Sequence, residues 1–235
     1  MTEITLIGNE GFRLRAGETR IFIDAFFHPF GEEAERLAWR AADIRQADLI
    51  LVTHAHYDHF DADAVVDVAT RTGARVIGPR AVVRAIGRRL AADAMIELEP
   101  ELVGRGAVAA SVRHALPQAT VTAYRTFHSR DHNSYLIEAG GVRLFHDGDN
   151  EDTRRLPVAE LGRVDALLIG PWQGSDWVAF IHQLQPRHWF LMHLSAEELA
   201  EQDAGRFLPE TCGCARVPPG LVVLHPGESF ALDPR

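Results

Sequence analysis

Apolar and polar positions alternate in short bursts along the opening residues, with Ile4-Thr5-Leu6-Ile7, Phe12-Arg13-Leu14 and Arg20-Ile21-Phe22-Ile23 separated by Gly8, Gly11 and Gly17. Period-two alternation marks half-buried strands and glycine punctuates turns, so the pattern predicts a meander of three strands. The period then lengthens. Residues 32–43 carry Ala34, Leu37, Ala38, Ala41 and Ala42 at helical spacing, and residues 48–52, Asp-Leu-Ile-Leu-Val, form the continuous apolar run of a buried strand. Asp61 is placed to cap a helix through Thr70, Arg75-Val76-Ile77 reads as a short strand, and Pro79 suits the first turn of a helix reaching Leu90.

A second round begins near Met95. Strands are expected around residues 108–113, 120–127, 134–139 and 142–145, with Gly140-Gly141 as a two-residue hairpin turn. Strand–helix alternation returns with a strand at 166–169, a helix at 175–184, a strand at 189–192 and a helix at 196–204. A loop containing Gly, Pro and Cys leads to last strands at 221–224 and 229–232. Two rounds of strands followed by strand–helix units predict an α/β fold with two sheets face to face and helices outside, a four-layer αββα sandwich in one domain over residues 1–235.

Composition narrows the function classes. The chain of 235 residues carries a net charge of −9, so it lacks the broad basic surface that gives affinity for phosphate backbones, and nucleic acid is a poor partner. The start, Met1-Thr2-Glu3-Ile4, has no basic region leading into a long apolar run, and no segment approaches the roughly 20 apolar residues of a membrane span. A cytoplasmic protein acting on a small molecule is the expectation, with a homo-oligomer left open. Cys212 and Cys214 are separated only by Gly213, too close for an ordinary disulfide. They read as two free thiols, with a surface metal or redox site as the alternative.

Histidine is more informative. There are twelve, several just after apolar runs. The run at 48–52 leads directly into residues 53–59, Thr-His-Ala-His-Tyr-Asp-His, so four candidate ligands, His54, His56, Asp58 and His59, follow the C-terminal end of a buried strand. In an extended loop residues two apart project to one side, which lets His54 and His56 grip one ion while Asp58 and His59 serve a second. Imidazole and carboxylate together suit Zn²⁺, and Mn²⁺ or Fe²⁺ accept the same donors.

This T-H-x-H-x-D-H run resembles the signature of the metallo-beta-lactamase fold superfamily in its dinuclear form, and the strand ending Ile23-Asp24-Ala25 is similar to the family's early strands and their aspartate. Within that superfamily the chain most resembles the bacterial branch related to ascorbate-6-phosphate lactonase. The resemblance implies three later ligands. His128, in Thr126-Phe127-His128-Ser129, follows a strand, with His132 as a rival four residues on. Asp149, after the hairpin in Leu144-Phe145-His146-Asp147-Gly148-Asp149, would bridge the ions, with Asp147 as its rival, and the Thr usual after this aspartate is Asn150 here. His193 ends Trp189-Phe190-Leu191-Met192. The implied first site is His54, His56 and His128, and the second is Asp58, His59 and His193.

The resemblance thus implies a hydrolase with two divalent ions, in which a bridging hydroxide attacks a small ester, lactone, phosphodiester or amide, and Asp58 orients it or takes its proton. No protein nucleophile is needed. Arg125, Arg130 and Arg154 lie near ligand motifs and could hold a phosphate on the substrate, while Trp172 and Trp177 could wall a pocket. An iron-dependent redox enzyme on the same fold and a non-catalytic metal-binding protein are the competing classes.

Overall fold

A computed structural model describes residues 2–29, 36–104, 106–171 and 176–233. The opening meander pairs as its alternation requires: β1 (Thr2–Gly8), β2 (Gly11–Ala16) and β3 (Thr19–Ile23) run antiparallel in sequence order. β4 (Leu49–Leu51), β5 (Arg75–Gly78) and β6 (Met95–Glu97) add in parallel, and β14 (Ser229–Leu232) closes the far edge against β1. The result is a seven-stranded sheet in the order β14-β1-β2-β3-β4-β5-β6.

The second round repeats the plan. β7 (Ser111–Ala115), β8 (Thr120–Arg125), β9 (Asn133–Ala139) and β10 (Val142–His146) are antiparallel, followed in parallel by β11 (Ala166–Ile169), β12 (His188–Leu191) and β13 (Leu221–Val222). Their order is β13-β12-β11-β10-β9-β8-β7. Gly140 and Gly141 turn the β9–β10 hairpin with φ of 58° and 79°, the paired left-handed geometry that a two-residue turn demands.

Alternation along the strands builds the layers. In the run after Asp48, Leu49 and Leu51 enter the core between the sheets, where they join Ile4, Leu14 and Ile21 against Val121, Ile137, Leu144 and Phe190. Ile50 and Val52 face outward onto α1 (Ala62–Thr72) and α2 (Arg80–Ile86) through Val65, Val68, Val82 and Ile86. Across the molecule, Phe145, Leu167 and Trp189 meet Leu161 of α3 (Val158–Leu161) and Trp177, Phe180 and Ile181 of α4 (Trp177–Leu184). The central strands of both sheets are therefore buried on two faces, and the architecture is the expected α/β sandwich of two sheets flanked by helices.

Local chemistry fixes the helix ends. The Asp61 carboxylate accepts from the amides of Asp63 and Ala64 at the start of α1, and Gly73 ends it with a φ of 74°. α5 (Ala196–Asp203) begins with a capping box between Ser195 and Glu198. Other expectations shift. Of the helix expected over 32–43, residues 32–35 lie outside the described part, 37–40 are irregular, and Ala41–Asp43 is a 3-10 turn. α2 stops at Ile86 rather than Leu90, because Gly87 follows and withdraws helical propensity. The strand expected at 108–113 lies at Ser111–Ala115, and β6 went unread.

The two meanders bring the business ends of the strands to one edge of the sandwich. The β1–β2 turn, the ends of β3 and β4, the β8–β9 loop and the ends of β10 and β12 all meet there, as the pairings Phe12↔Ile23, Ile23↔Leu51 and His146↔Tyr135 require. Bonds across the sheets fasten that edge. The Asn133 amide donates to Thr53 O at 3.0 Å, and the buried Tyr135 hydroxyl donates to Val52 O at 2.8 Å. Tyr135→Phe would strip a buried carbonyl of this partner, so it should lower stability by about 1–3 kcal/mol. A urea midpoint shifted at constant m-value is the expected readout, and an unchanged midpoint would contradict the role given to this bond.

Candidate metal centre

Strand β4 delivers residues 53–59 into that edge, and two buried hydrogen-bond relays decide how their rings point. The Asp24 carboxylate, at the end of β3, accepts from the Thr53 amide at 2.8 Å, the Thr53 hydroxyl at 2.5 Å and His59 Nδ1 at 3.1 Å. Since the Thr53 hydroxyl gives its proton to Asp24, it accepts from His54 Nδ1 at 3.0 Å. His54 and His59 are thereby held as tautomers with Nε2 free to face the centre, the arrangement metal-binding histidines need. His128 is oriented alike, with Nδ1 2.9 Å from Glu151 Oε1.

Ligand atoms then converge in two overlapping groups, each within 4.8 Å: His54, His56, His128 and Asp149, and Glu10, His59, Asp149 and His193. Asp149 Oδ2 lies 3.2 Å from His128 Nε2, 3.3 Å from His59 Nε2 and 3.9 Å from His54 Nε2, so this carboxylate stands between the groups. Asp58 is on the open side, its Oδ2 3.8 Å from His193 Nε2 and 3.9 Å from His59 Nε2. Glu10 was not anticipated. It sits in the β1–β2 turn with no exposed surface, Oε1 2.9 Å from His59 Nε2 and 3.5 Å from His193 Nε2.

The rivals raised by the sequence sit behind these groups. His132 Nε2 accepts from the Asp149 amide at 2.9 Å, and a proton-ordered chain runs from its Nδ1 through the hydroxyls of Thr126 and Ser134 to Asp147 O. The Asp147 carboxylate accepts from Ser134 and from the Asn150 side chain. His146 Nε2 donates to Glu10 O at 3.1 Å while its Nδ1 accepts from the Gly148 amide at 3.2 Å. A third group, Glu10, Asp24 and His146, also falls within 4.8 Å, but both His146 nitrogens are already engaged and the Asp24 carboxylate takes three bonds.

Electrostatics separate the donors. Burial and the neighbouring His59 push His54 far below the ordinary histidine range, and burial does the same to His132. His193 is also pushed down by burial, but Glu10 and Asp58 outweigh that and raise it to about 9. Burial and the facing Asp149 raise Glu10 to about 8, whereas for Asp149 burial is outweighed by His59 and His193, which hold it below the usual carboxylate range.

A divalent cation fits these residues on the structure's own evidence. Six atoms facing the centre are buried without a well-angled hydrogen bond: both Glu10 oxygens, Asp149 Oδ1, and Nε2 of His54, His59 and His193. Some approach one another closely, as Glu10 and His59 do at 2.9 Å, yet without hydrogen-bond angles. Unpaired buried polar atoms are costly, so their convergence on one point calls for a positive partner. Backbone strain gathers here too, with Asn9, Asp24 and His193 at φ of 48°, 45° and 61°.

Residues 19–208 match the family described as Beta-lactamase superfamily domain. The chain belongs to the metallo-beta-lactamase superfamily of metal-dependent hydrolases. A UPF0173 metal-dependent hydrolase from Pyrococcus furiosus is 27% identical to this superfamily member over 99% of the chain and 100% of its own length. The metallo hydrolase Igni18 from Ignicoccus hospitalis superposes with a TM-score of 0.65 at 18% identity, covering 99% of each chain. A diiron beta-hydroxylase from Streptomyces venezuelae, CmlA, gives a TM-score of 0.65 at 16% identity over 98% of this chain and 54% of its own. At such identities these two structures show the shared fold alone.

Of the other candidates in this superfamily member, most have partners of their own. Arg125 is buried and bound by Glu99, Asp131 and Arg130 O, Arg154 pairs with Asp152 and Asp176, and Arg130 is exposed. Trp177 packs against Trp189, and Trp172 lies outside the described residues. His182 faces solvent on α4, His188 packs on Phe230, and His225 pairs with Asp203. Cys212 and Cys214 are free thiols, Cys214 buried, with burial raising Cys212 to about 11. No helix among the described residues is long and apolar enough to cross a membrane.

Gly148 tests the frame. Its φ is +59°, and a Cβ there would lie 2.5 Å from His132 Nε2. Gly148→Ala should cost more than about 1 kcal/mol and displace Asp149. Thermal unfolding with and without added Zn²⁺ should show a lower midpoint and a smaller Zn²⁺-induced rise than in the unsubstituted protein. Equal values for both would disprove the link.

Proposed function

We propose that this chain is a hydrolase working with two divalent ions, the first held by His54, His56 and His128, the second by Asp58, His59 and His193, with Asp149 between them. Zn²⁺ suits these donors, and Mn²⁺ or Fe²⁺ are the other candidates. The observation that carries the reading is the set of inward-facing Nε2 atoms of His54 and His59, whose Nδ1 atoms are occupied by Thr53 and Asp24, around a carboxylate shared by both groups. When bound, the ions supply Lewis acidity and a water acidic near neutral pH. Asp58, on the open side, would be the residue to orient a bound water and accept its proton. Asp24, Thr53 and Glu151 hold the rings, and the buried frame behind Asp149 keeps bulk water out of the rear of the site.

The substrate class is a small ester, lactone, phosphodiester or amide, with the lactone kept on the strength of the sequence's resemblance to the lactonase branch. A cavity of about 550 Å³ lined by Gly106, Phe127, Glu151, Asp152, Arg154 and Arg155 adjoins His128 and is the place for the group leaving or staying with the substrate. Two carboxylates and two guanidiniums line it, so its charge is balanced and favours no strongly anionic group. The likeness to a diiron hydroxylase shows fold alone, and nothing in this chain's donors favours redox chemistry over hydrolysis.

Metal analysis of protein stripped with chelator and reloaded with Zn²⁺ should find two ions per chain. Reloading should restore hydrolysis of at least one of a p-nitrophenyl phosphodiester, an aryl ester, a lactone and an amide. His56→Ala should lose an ion and lower kcat more than about 100-fold, the scale of losing one stabilising group in a transition state. Full metal content and full activity in that variant would refute the assignment.

A further inference from the structure

We infer that Glu10 is a ligand of the second ion and that it makes the two metal positions unequal, tilting the second toward oxygen-preferring cations such as Mn²⁺. The inference rests on the two-ion reading above and goes beyond it in naming a donor from the β1–β2 turn and the selectivity it confers.

Three observations carry it. The first is placement. Glu10 has no solvent exposure, its Oε1 lies 2.9 Å from His59 Nε2 and 3.5 Å from His193 Nε2, and it falls with His59, Asp149 and His193 within one 4.8 Å group. The second is lack of alternative employment, since neither oxygen has a well-angled hydrogen bond. Among the described residues, no cation other than the histidines themselves pairs with Glu10. A carboxylate buried in this way without an ion would leave its desolvation unrepaid.

The third is that the turn is held for this purpose. His146 donates to the Glu10 carbonyl and accepts from the Gly148 amide, so one imidazole fixes the Glu10 backbone and the approach to Asp149 together. Gly11 lets the turn sit against β3, because a Cβ there would lie 2.8 Å from Asp24 O. A divalent ion would satisfy Glu10, Asp149 and His59 at once.

Selectivity follows from donor type. The first group offers three imidazoles and a shared carboxylate. The second, with Glu10, offers two imidazoles, the shared carboxylate, Glu10 and the neighbouring Asp58. Carboxylate donors suit Mn²⁺ better than imidazoles do, and imidazoles suit Zn²⁺. Zn²⁺ still binds more tightly than Mn²⁺ at either position, but its advantage should be smaller at the second.

The test uses metal-free full-length protein loaded with Zn²⁺ alone or Mn²⁺ alone, comparing the unsubstituted chain with Glu10→Gln. Isothermal titration and elemental analysis give affinity and stoichiometry, and diffraction at each metal edge locates the ions. The expected result is two ions in the unsubstituted protein, with a Glu10 oxygen at about 2.0 to 2.2 Å from the second. Glu10→Gln should weaken that ion at least tenfold for Mn²⁺ and less for Zn²⁺, with the first ion unchanged. Two ions bound with unchanged affinity and unchanged Mn²⁺-to-Zn²⁺ ratio in Glu10→Gln would overturn the inference alone. Failure of the unsubstituted protein to take up a second ion would overturn the two-ion reading beneath it. Should Glu10→Gln not fold by circular dichroism, the metal-edge structure of the unsubstituted chain decides, and a Glu10 carboxylate beyond about 3 Å from the ion rejects the inference.

Discussion

The Asp24 carboxylate takes three buried hydrogen bonds, from the Thr53 amide, the Thr53 hydroxyl and His59 Nδ1, and the centre is organised around them. Asp24 stands at a φ of 45° immediately after β3, a conformation that aims the side chain sideways at β4 instead of along the strand. From this clamp the relay passes through Thr53 to His54, so one anion sets the tautomers of two rings and the path of the loop between them. Hydrogen bonds to a charged acceptor in a buried setting are the stronger kind. The rigidity they give is what keeps the inward nitrogens from finding partners of their own.

The same close packing sets carboxylates against one another. Glu10 and Asp149 face one another across His59 and His193, so burial and the facing carboxylate raise Glu10 while His59 and His193 hold Asp149 low. Behind them a neutral layer made of His132, Thr126, Ser134 and His146 is fully hydrogen-bonded. The contrast between a satisfied frame and an unsatisfied focus is the physical signature of a site built for something positive.

Much of this was legible from residue order. Strands buried on both faces read as continuous apolar runs, as Leu49 to Val52 did, and Gly140-Gly141 announced its hairpin, so the two-sheet architecture followed from pattern. Residues 53–59 stood out because polar donors crowd one strand end. His128 is preferred to His132 in the sequence because it directly ends an apolar strand, and in the structure both ring nitrogens of His132 are engaged, by Thr126 and the Asp149 amide. Glu10 escaped notice because a glutamate in a turn is ordinarily solvated. The clue was directional: β2 opposes β3 and β3 parallels β4, which puts the turn before β2 on the same edge as the loop after β4. Pattern gives strand positions but not the direction in which the fourth strand joins. The helix expected over residues 32–43 is absent from 37 onward, where the chain is irregular up to the 3-10 turn at Ala41–Asp43.

The donors are divided between the two halves of the sandwich. Glu10, His54, His56 and His59 hang from one sheet, while His128, Asp149 and His193 hang from the other. Neither sheet can assemble the focus alone, and the gathering of donors exists only while the two faces of the core remain docked. An ion seated there would tie the two sheets together at the rim of their interface. A parting of the layers at this rim would scatter the donors while leaving the strand pairing within each sheet intact.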